Sequence, residues 1–151
     1  MQKDRDMMEL ALKKAEESAA IGEVPVGAVI TSPDGRILAS AGNKTISGCD
    51  PTGHAEIRVL RMAAAEMRNY RLPETTLYVT LEPCPMCASA MVHARVARVV
   101  FGAADPKTGA IISRYAIGRD NLLNHTFSVT AGVLAEECGR LLREFFQNRR
   151  A

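Results

Sequence analysis

Four residues of this chain have types and spacing that could do chemistry: His54, Glu56, Cys84 and Cys87. They stand in two short motifs, His54-Ala55-Glu56 and Pro83-Cys84-Pro85-Met86-Cys87. One imidazole and two thiolates suit zinc and leave a fourth tetrahedral position open for water, which separates a catalytic zinc from a structural one. Cys84 and Cys87, three apart at the start of a predicted helix, project from the same side. Free backbone amides and the positive dipole end there lower thiol pKa and favour the metal-binding thiolate. The two thiolates neutralise the charge of the ion, which still acidifies its water. Glu56 need not be a ligand. Two residues beyond His54, it can stand beside that water, take a proton and deliver it to a substrate ring and leaving group.

Taken alone, the Cys-x-x-Cys pair would fit a thioredoxin-like redox motif or half of a four-cysteine zinc site, and a lone His54 would fit a satisfied polar residue. Neither accounts for a His-x-Glu at an upstream helix start, and the chain has no second Cys-x-x-Cys. The full signature, His-x-Glu followed by Pro-Cys-x-x-Cys, favours the catalytic zinc. Cys138 falls on the apolar stripe of the last predicted helix and reads as core. Cys49, His93 and His125 receive no role.

The elements that must position these residues follow from periodicity. Asp6 to Ala20 reads as a helix with Met7, Ala11, Ala15 and Ala19 on one face. Val24 to Ile30 reads as a buried strand, Ser32-Pro33-Asp34-Gly35 as a turn and Arg36 to Ala39 as a returning strand. A loop spans Gly42 to Gly53, and His54 to Arg68 is rich in helix formers. Thr75 to Leu81 has strand composition, Cys84 to Arg95 reads as helix, and Val96 to Phe101 as a short strand stopped by Gly102. Phe127 to Thr130 is a candidate fifth strand, and Leu134, Cys138, Leu141, Leu142 and Phe145 fall at helical spacing up to Gln147. Strands alternating with helices predict one α/β domain over residues 1–151, with both motifs where a loop enters a helix.

Composition sets the bounds. At 151 residues, 47% hydrophobic and 24% charged, the chain is ordinary for a single soluble domain. It has no apolar run long enough to span a membrane, and its polar N-terminus lacks a signal core, so a cytoplasmic location is expected. A net charge of +2 does not mark a nucleic-acid binder. Arg140, Arg143, Arg149 and Arg150 against Glu144 at the C-terminal end would suit phosphates, or equally a solvated last helical turn.

Three segments together carry a family likeness: Asp50-Pro51-Thr52-Gly53-His54-Ala55-Glu56-Ile57, Leu77-Tyr78-Val79-Thr80-Leu81-Glu82-Pro83-Cys84-Pro85-Met86-Cys87 and Val99-Val100-Phe101-Gly102-Ala103. They resemble the cytidine deaminase superfamily, and within it the bacterial branch that acts on adenosine in tRNA. The likeness runs from Glu23-Val24-Pro25 to Glu144-Phe145-Phe146. It implies a three-layer α/β/α fold with a five-stranded mixed sheet, a bound Zn²⁺ held by His54, Cys84 and Cys87, and a homodimer. It also implies hydrolysis of adenosine to inosine at the wobble position of a tRNA anticodon loop, with Glu56 relaying protons. Asn43 would match the residue that hydrogen-bonds the base, with the Ala55 amide nearby. Asn124 would match a contact to the substrate backbone, Asp105 would face flanking nucleotides, and Phe145-Phe146 with Arg149-Arg150 would form an RNA-facing tail. For Phe145, core packing fits the apolar stripe equally well.

Physical reasoning supports a splayed, single-stranded substrate, because a compact metal pocket cannot reach an amine inside a duplex. One stretch departs from the family pattern. After Lys107-Thr108-Gly109-Ala110 the tRNA enzymes commonly carry a Gly-Ser-Leu-like segment, where this chain has Ile111-Ile112-Ser113-Arg114-Tyr115. A free nucleobase or nucleoside of guanine, cytosine or adenine type therefore stands as the alternative substrate. A non-catalytic, zinc-stabilised RNA-binding module is the third reading, which Glu56 disfavours.

Overall fold

Alternating side chains along the central strands divide the core into two halves. In the computed structural model, which describes residues 2–150, the elements run α1 (Gln2–Ala20), β1 (Gly27–Thr31), β2 (Ile37–Gly42), α2 (Ala55–Met67), β3 (Thr76–Leu81), α3 (Pro85–His93), β4 (Arg98–Ala103), β5 (Ser128–Ala131) and α4 (Ala135–Arg150). The five strands form one mixed sheet of order β2-β1-β3-β4-β5, antiparallel from β2 through β3 and parallel from β3 through β5. Ala28, Ile30, Leu77, Val79, Val99 and Phe101 pack with residues of α2 and α3 on one face. Their neighbours Val29, Tyr78 and Val100 pack with Met8 and Ala11 of α1 and Cys138 of α4 on the other. The result is the three-layer α/β/α arrangement expected.

Boundaries move where backbone chemistry overrides side-chain pattern. The first strand begins at Gly27, three residues later than its apolar run, since Val24-Pro25-Val26 makes a local turn with the Val26 amide on the Val24 carbonyl, 2.9 Å away. Gly27 itself lies against α1 so closely that a Cβ would overlap the Ala11 carbonyl. The fourth strand starts at Arg98 because Arg95 takes a left-handed φ of 63° and the Val96 amide turns back to the Met91 carbonyl. The Phe127 amide is bonded to Gly118, which delays β5 to Ser128. α1 starts at Gln2, four residues before the expected Asp6.

That early start is held by an ion pair. Asp4, buried, accepts from Arg98 Nη1 at 3.0 Å and Nη2 at 2.6 Å, and the same Nη2 donates to Thr130 Oγ1 at 2.9 Å. One guanidinium thus ties α1 to β4 and β5. The Arg98 hydrogen bonds hold the Asp4 carboxyl below the usual aspartate range, against its burial. Because the folded-state pKa is depressed, the stabilisation is complete above the unfolded value of about 3.9 and is lost as pH falls through the lower, folded value. Asp4→Ala, which strands a half-buried guanidinium, should lower unfolding stability by about 1–3 kcal/mol at neutral pH. In urea titrations this deficit should shrink as pH drops below that of the free carboxyl; an equal deficit at all pH values would contradict the assignment.

Candidate metal centre and active site

The sheet brings its chemistry to a single edge. β2, β3 and β4 end there, and β1, running the opposite way, begins there. The segments that leave this edge are Asn43 onward from β2, Glu82-Pro83-Cys84 from β3 and Asp105 onward from β4. In α/β sheets, the carboxyl ends of parallel strands are the usual place for a ligand crevice. Here they frame a cavity of about 250 Å³. Val24, Val26 and Leu81 give it apolar walls, while Asn43, Thr45, His54, Glu56, Glu82, Cys84, Asp105 and Thr108 give it polar ones. At the small end of ligand pockets, it suits one ring system rather than a large ligand.

Both motifs occupy helix starts, as their sequence predicted. His54 is the N-cap of α2 and Cys84 the N-cap of α3, each with extended backbone. Cys84 is thus just outside the helix and Cys87 one turn inside it, buried. His54 turns Nδ1 to both sulfurs, 3.6 Å from Cys84 Sγ and 3.5 Å from Cys87 Sγ. The ligand atoms of the three residues all lie within 4.8 Å of one another. Zinc bonds of about 2.3 Å to sulfur and about 2.0 Å to nitrogen subtend ligand separations of this order, so the donor set and its spacing fit the ion.

The two thiols are driven in opposite directions by their proximity. Hydrogen bonds from Cys87 and His54 pull the Cys84 thiol down to about 4 despite its burial. The Cys84 thiolate, with burial and Glu56 adding to it, pushes the Cys87 thiol up. Helix amides alone would lower both. Proximity of the two sulfurs reverses that for Cys87, and a dication is what relieves it. The bond to Cys84, with help from Glu56, raises the His54 pKa against burial.

Glu56 lines the cavity from the first turn of α2 and is itself buried. Burial raises its carboxyl to about 7, against a backbone hydrogen bond and the pull of His54. Beside the three ligand residues, it is placed to exchange protons with a water or substrate in the cavity.

The remaining expected residues are placed unequally. Asn43, buried, accepts the Ala55 amide on Oδ1 at 2.8 Å, which leaves its Nδ2 as a donor. The Ala55 amide is therefore engaged by Asn43 and orients it. Asp105 lines the cavity, but its carboxylate caps its own loop, accepting from the Lys107 and Thr108 amides and from Thr108 Oγ1 at 2.6 Å. Asn124 does not line the cavity; it lies in the exposed loop before β5, 3.5 Å from Arg95 Nη1. Phe145 is half-buried, with Phe146 edge-on at 5.4 Å and the Arg149 guanidinium 5.3 Å above its ring. Arg149 also donates to the Gly22 carbonyl at 3.1 Å, anchoring the tail beside the segment that leads to Val24.

Two buried carboxylates escaped the sequence reading. Glu23 accepts from the Ile46 amide at 3.2 Å, the Ser47 amide at 2.7 Å and Thr45 Oγ1 at 3.4 Å, securing the loop that carries Asn43 and Thr45. Glu82 does the same for the loop after β4, through the amides of Asp105, Ile111, Ile112 and Ser113 and the Ser113 hydroxyl. Burial would raise both carboxyls, yet these bonds hold each below the usual glutamate range. Their signal in the sequence is slight: an acid set in an apolar stretch one or two residues before a proline, Glu23-Val24-Pro25 and Leu81-Glu82-Pro83.

An open-sided His-Cys-Cys metal site beside a buried carboxylate, at the mouth of a ring-sized pocket on this frame, defines the zinc-dependent hydrolytic deaminase class. Comparison with known proteins agrees. Residues 1–103 match the family model described as the cytidine and deoxycytidylate deaminase zinc-binding region. A tRNA-specific adenosine deaminase of Haemophilus influenzae is 53% identical, covering 97% of this chain and 85% of that protein. One of Bacillus subtilis is 43% identical, covering 99% and 92%. A solved structure from work on A-to-I editing by tRNA:A34 deaminases superposes with a TM-score of 0.87 at 44% identity, covering 91% of this chain and 99% of that one. A guanine deaminase from Nitrosomonas europaea superposes at 0.78 with 25% identity, covering 93% and 83%. The chain belongs to the cytidine and deoxycytidylate deaminase family and, within it, to the group of tRNA-specific adenosine deaminases.

Cys87→Ala should reduce bound zinc from stoichiometric to trace in metal analysis and lower thermal stability, because metal binding is linked to folding. Cys49→Ala, which alters an exposed thiol, should keep its zinc. Full zinc occupancy in the Cys87 variant would contradict the ligand set.

Proposed function

We propose that this chain converts adenosine to inosine at the wobble position of a tRNA anticodon loop. The observation that carries the reading is likeness over nearly the whole chain, at up to 53% identity, to proteins named for that activity. The ring-sized cavity supports it, since a base must leave its stack to be acted upon there.

Each part of the site has a role in this account. His54, Cys84 and Cys87 would hold the zinc, which when bound would supply an acidified water as nucleophile at neutral pH. Glu56 takes the proton that the water sheds and passes it to the ring nitrogen beside the amine-bearing carbon. It then carries the water's second proton to the departing amine, so that ammonia leaves and a carbonyl remains. Asn43 donates Nδ2 to the base, held in place by the Ala55 amide. Val24, Val26 and Leu81 enclose the ring, and Asp105 with Thr108 borders the nucleotide beside it. Asn124 and the Phe145–Arg149 tail meet the RNA backbone farther out.

The functional unit in this account is a cytoplasmic homodimer. Supporting the dimer is an apolar depression of about 380 Å³ between α2 and α3, lined by Ile57, Leu60, Ala64, Tyr70 and Ala90. Among the described residues, no helix is long and apolar enough to cross a membrane.

An anticodon stem-loop with adenosine at the wobble position, offered beside free adenine, guanine, cytosine and their nucleosides, should be the substrate that yields inosine and ammonia. Turnover of a free base with the RNA untouched would overturn the proposal in favour of a small-molecule deaminase. Glu56→Ala should keep zinc and lose at least about 100-fold in rate. RNA binding by that inactive variant should weaken steeply with added salt, whereas a flat response would contradict phosphate contacts.

A further inference from the structure

We infer that Glu82 is a positioning residue for substrate: its buried carboxylate is the peg on which the Asp105–Ser113 wall of the pocket hangs. The inference deepens the proposed function and rests on it for the identity of the substrate. Glu82 is 2% exposed and lies two residues before Cys84, yet its carboxylate is turned to the neighbouring loop. Oε1 accepts the Asp105 amide at 3.0 Å together with the Ser113 hydroxyl. Oε2 accepts the amides of Ile111 at 3.2 Å, Ile112 at 2.8 Å and Ser113 at 2.9 Å. Five donors on one buried anion is a strong local restraint, because bonds to charged groups are the stronger kind and a buried charge without them is costly.

A second observation points the same way. A Cβ built on Gly109 would overlap the Glu82 carboxylate and the Asp105 carbonyl. The loop thus closes around the carboxylate so tightly that only glycine fits at its middle. The next carbonyl contact, from the Ala110 amide to Pro83 at 2.8 Å, fastens the same loop to the segment that carries Cys84. Metal ligand and substrate wall are therefore built on one short piece of chain. Asp105 and Thr108, which line the cavity, have their places set through Glu82.

The arrangement also explains why Ile111-Ile112-Ser113-Arg114-Tyr115 can depart from the family pattern without disturbing the pocket. Ile111, Ile112 and Ser113 reach Glu82 through backbone amides, which any non-proline residue supplies. Side-chain identity is released at the exposed Ile112, Arg114 and Tyr115, while Ile111 is held in the core and Ser113 adds its hydroxyl to Glu82.

Glu82→Gln tests this in the zinc-loaded, full-length protein. Whichever way the amide turns, at least one loop amide then faces an N–H donor. We expect zinc content unchanged, KM for the anticodon stem-loop raised about tenfold or more, and kcat within about threefold of the parent. Amide hydrogen exchange should quicken across residues 105–113 and stay as in the parent in α1. Ser113→Ala, which removes one of the five bonds, should give a smaller KM rise of the same kind, and Gly109→Ala a rise as large as that of Glu82→Gln. A merely structural role would instead lower kcat and zinc together at unchanged KM, and that pattern would overturn the inference. So would unchanged exchange at 105–113. If the parent itself fails on the stem-loop, the substrate reading falls, and the exchange arm alone decides whether Glu82 holds the wall.

Discussion

Bringing one imidazole nitrogen and two sulfurs within bonding distance of a common point requires segments far apart in sequence to end at the same edge of the sheet. The strand order does this. β3 delivers Cys84 directly from its carboxyl end, the antiparallel β1–β2 pair turns the loop before α2 back to that end, and α2 and α3 start side by side. His54 and Cys84 sit at N-caps and Cys87 in the first turn of α3, because a helix start leaves amides free and a dipole end positive, where a thiolate is tolerated. The two sulfurs repel as anions once both ionise, and a dication at the centre removes that conflict. Metal, helix starts and sheet edge thus depend on each other.

Around this centre the pocket walls are loops, and loops at an active site are costly to fix. The protein fixes them with charge rather than with apolar packing. Glu23 and Glu82 are both buried, and both are satisfied by amides that the loops have no other way to bond. Among the described residues no buried side-chain polar atom lacks a partner. A wall held this way keeps its shape while its exposed side chains vary.

Much of this was legible in the sequence, for physical reasons. His54-Ala55-Glu56 and the Cys84–Cys87 pair have few uses other than a metal with a proton carrier, so the centre could be named before any fold. The α/β layering followed from strands alternating with helices. Which face each residue of Ala28-Val29-Ile30 or Leu77-Tyr78-Val79 takes was visible only in the structure, because these runs are apolar throughout. Strand edges were harder, because left-handed residues such as Arg95 and the turn at Val24-Pro25-Val26 end or delay an element without changing its hydropathy. Glu23 and Glu82 were missed because their partners are backbone amides 23 to 31 residues away, and an amide carries no mark of its residue type. Ala55 was placed near the base by likeness, and only the structure showed that its amide bonds Asn43.

The central claim is that one imidazole and two thiolates hold a zinc that keeps a position for water. X-ray absorption at the zinc edge of the purified protein reads this directly. The account predicts two sulfurs at about 2.3 Å with two lighter neighbours, one imidazole nitrogen and one oxygen, at about 2.0 Å. A shell of four sulfurs, or protein that carries no zinc, would contradict it.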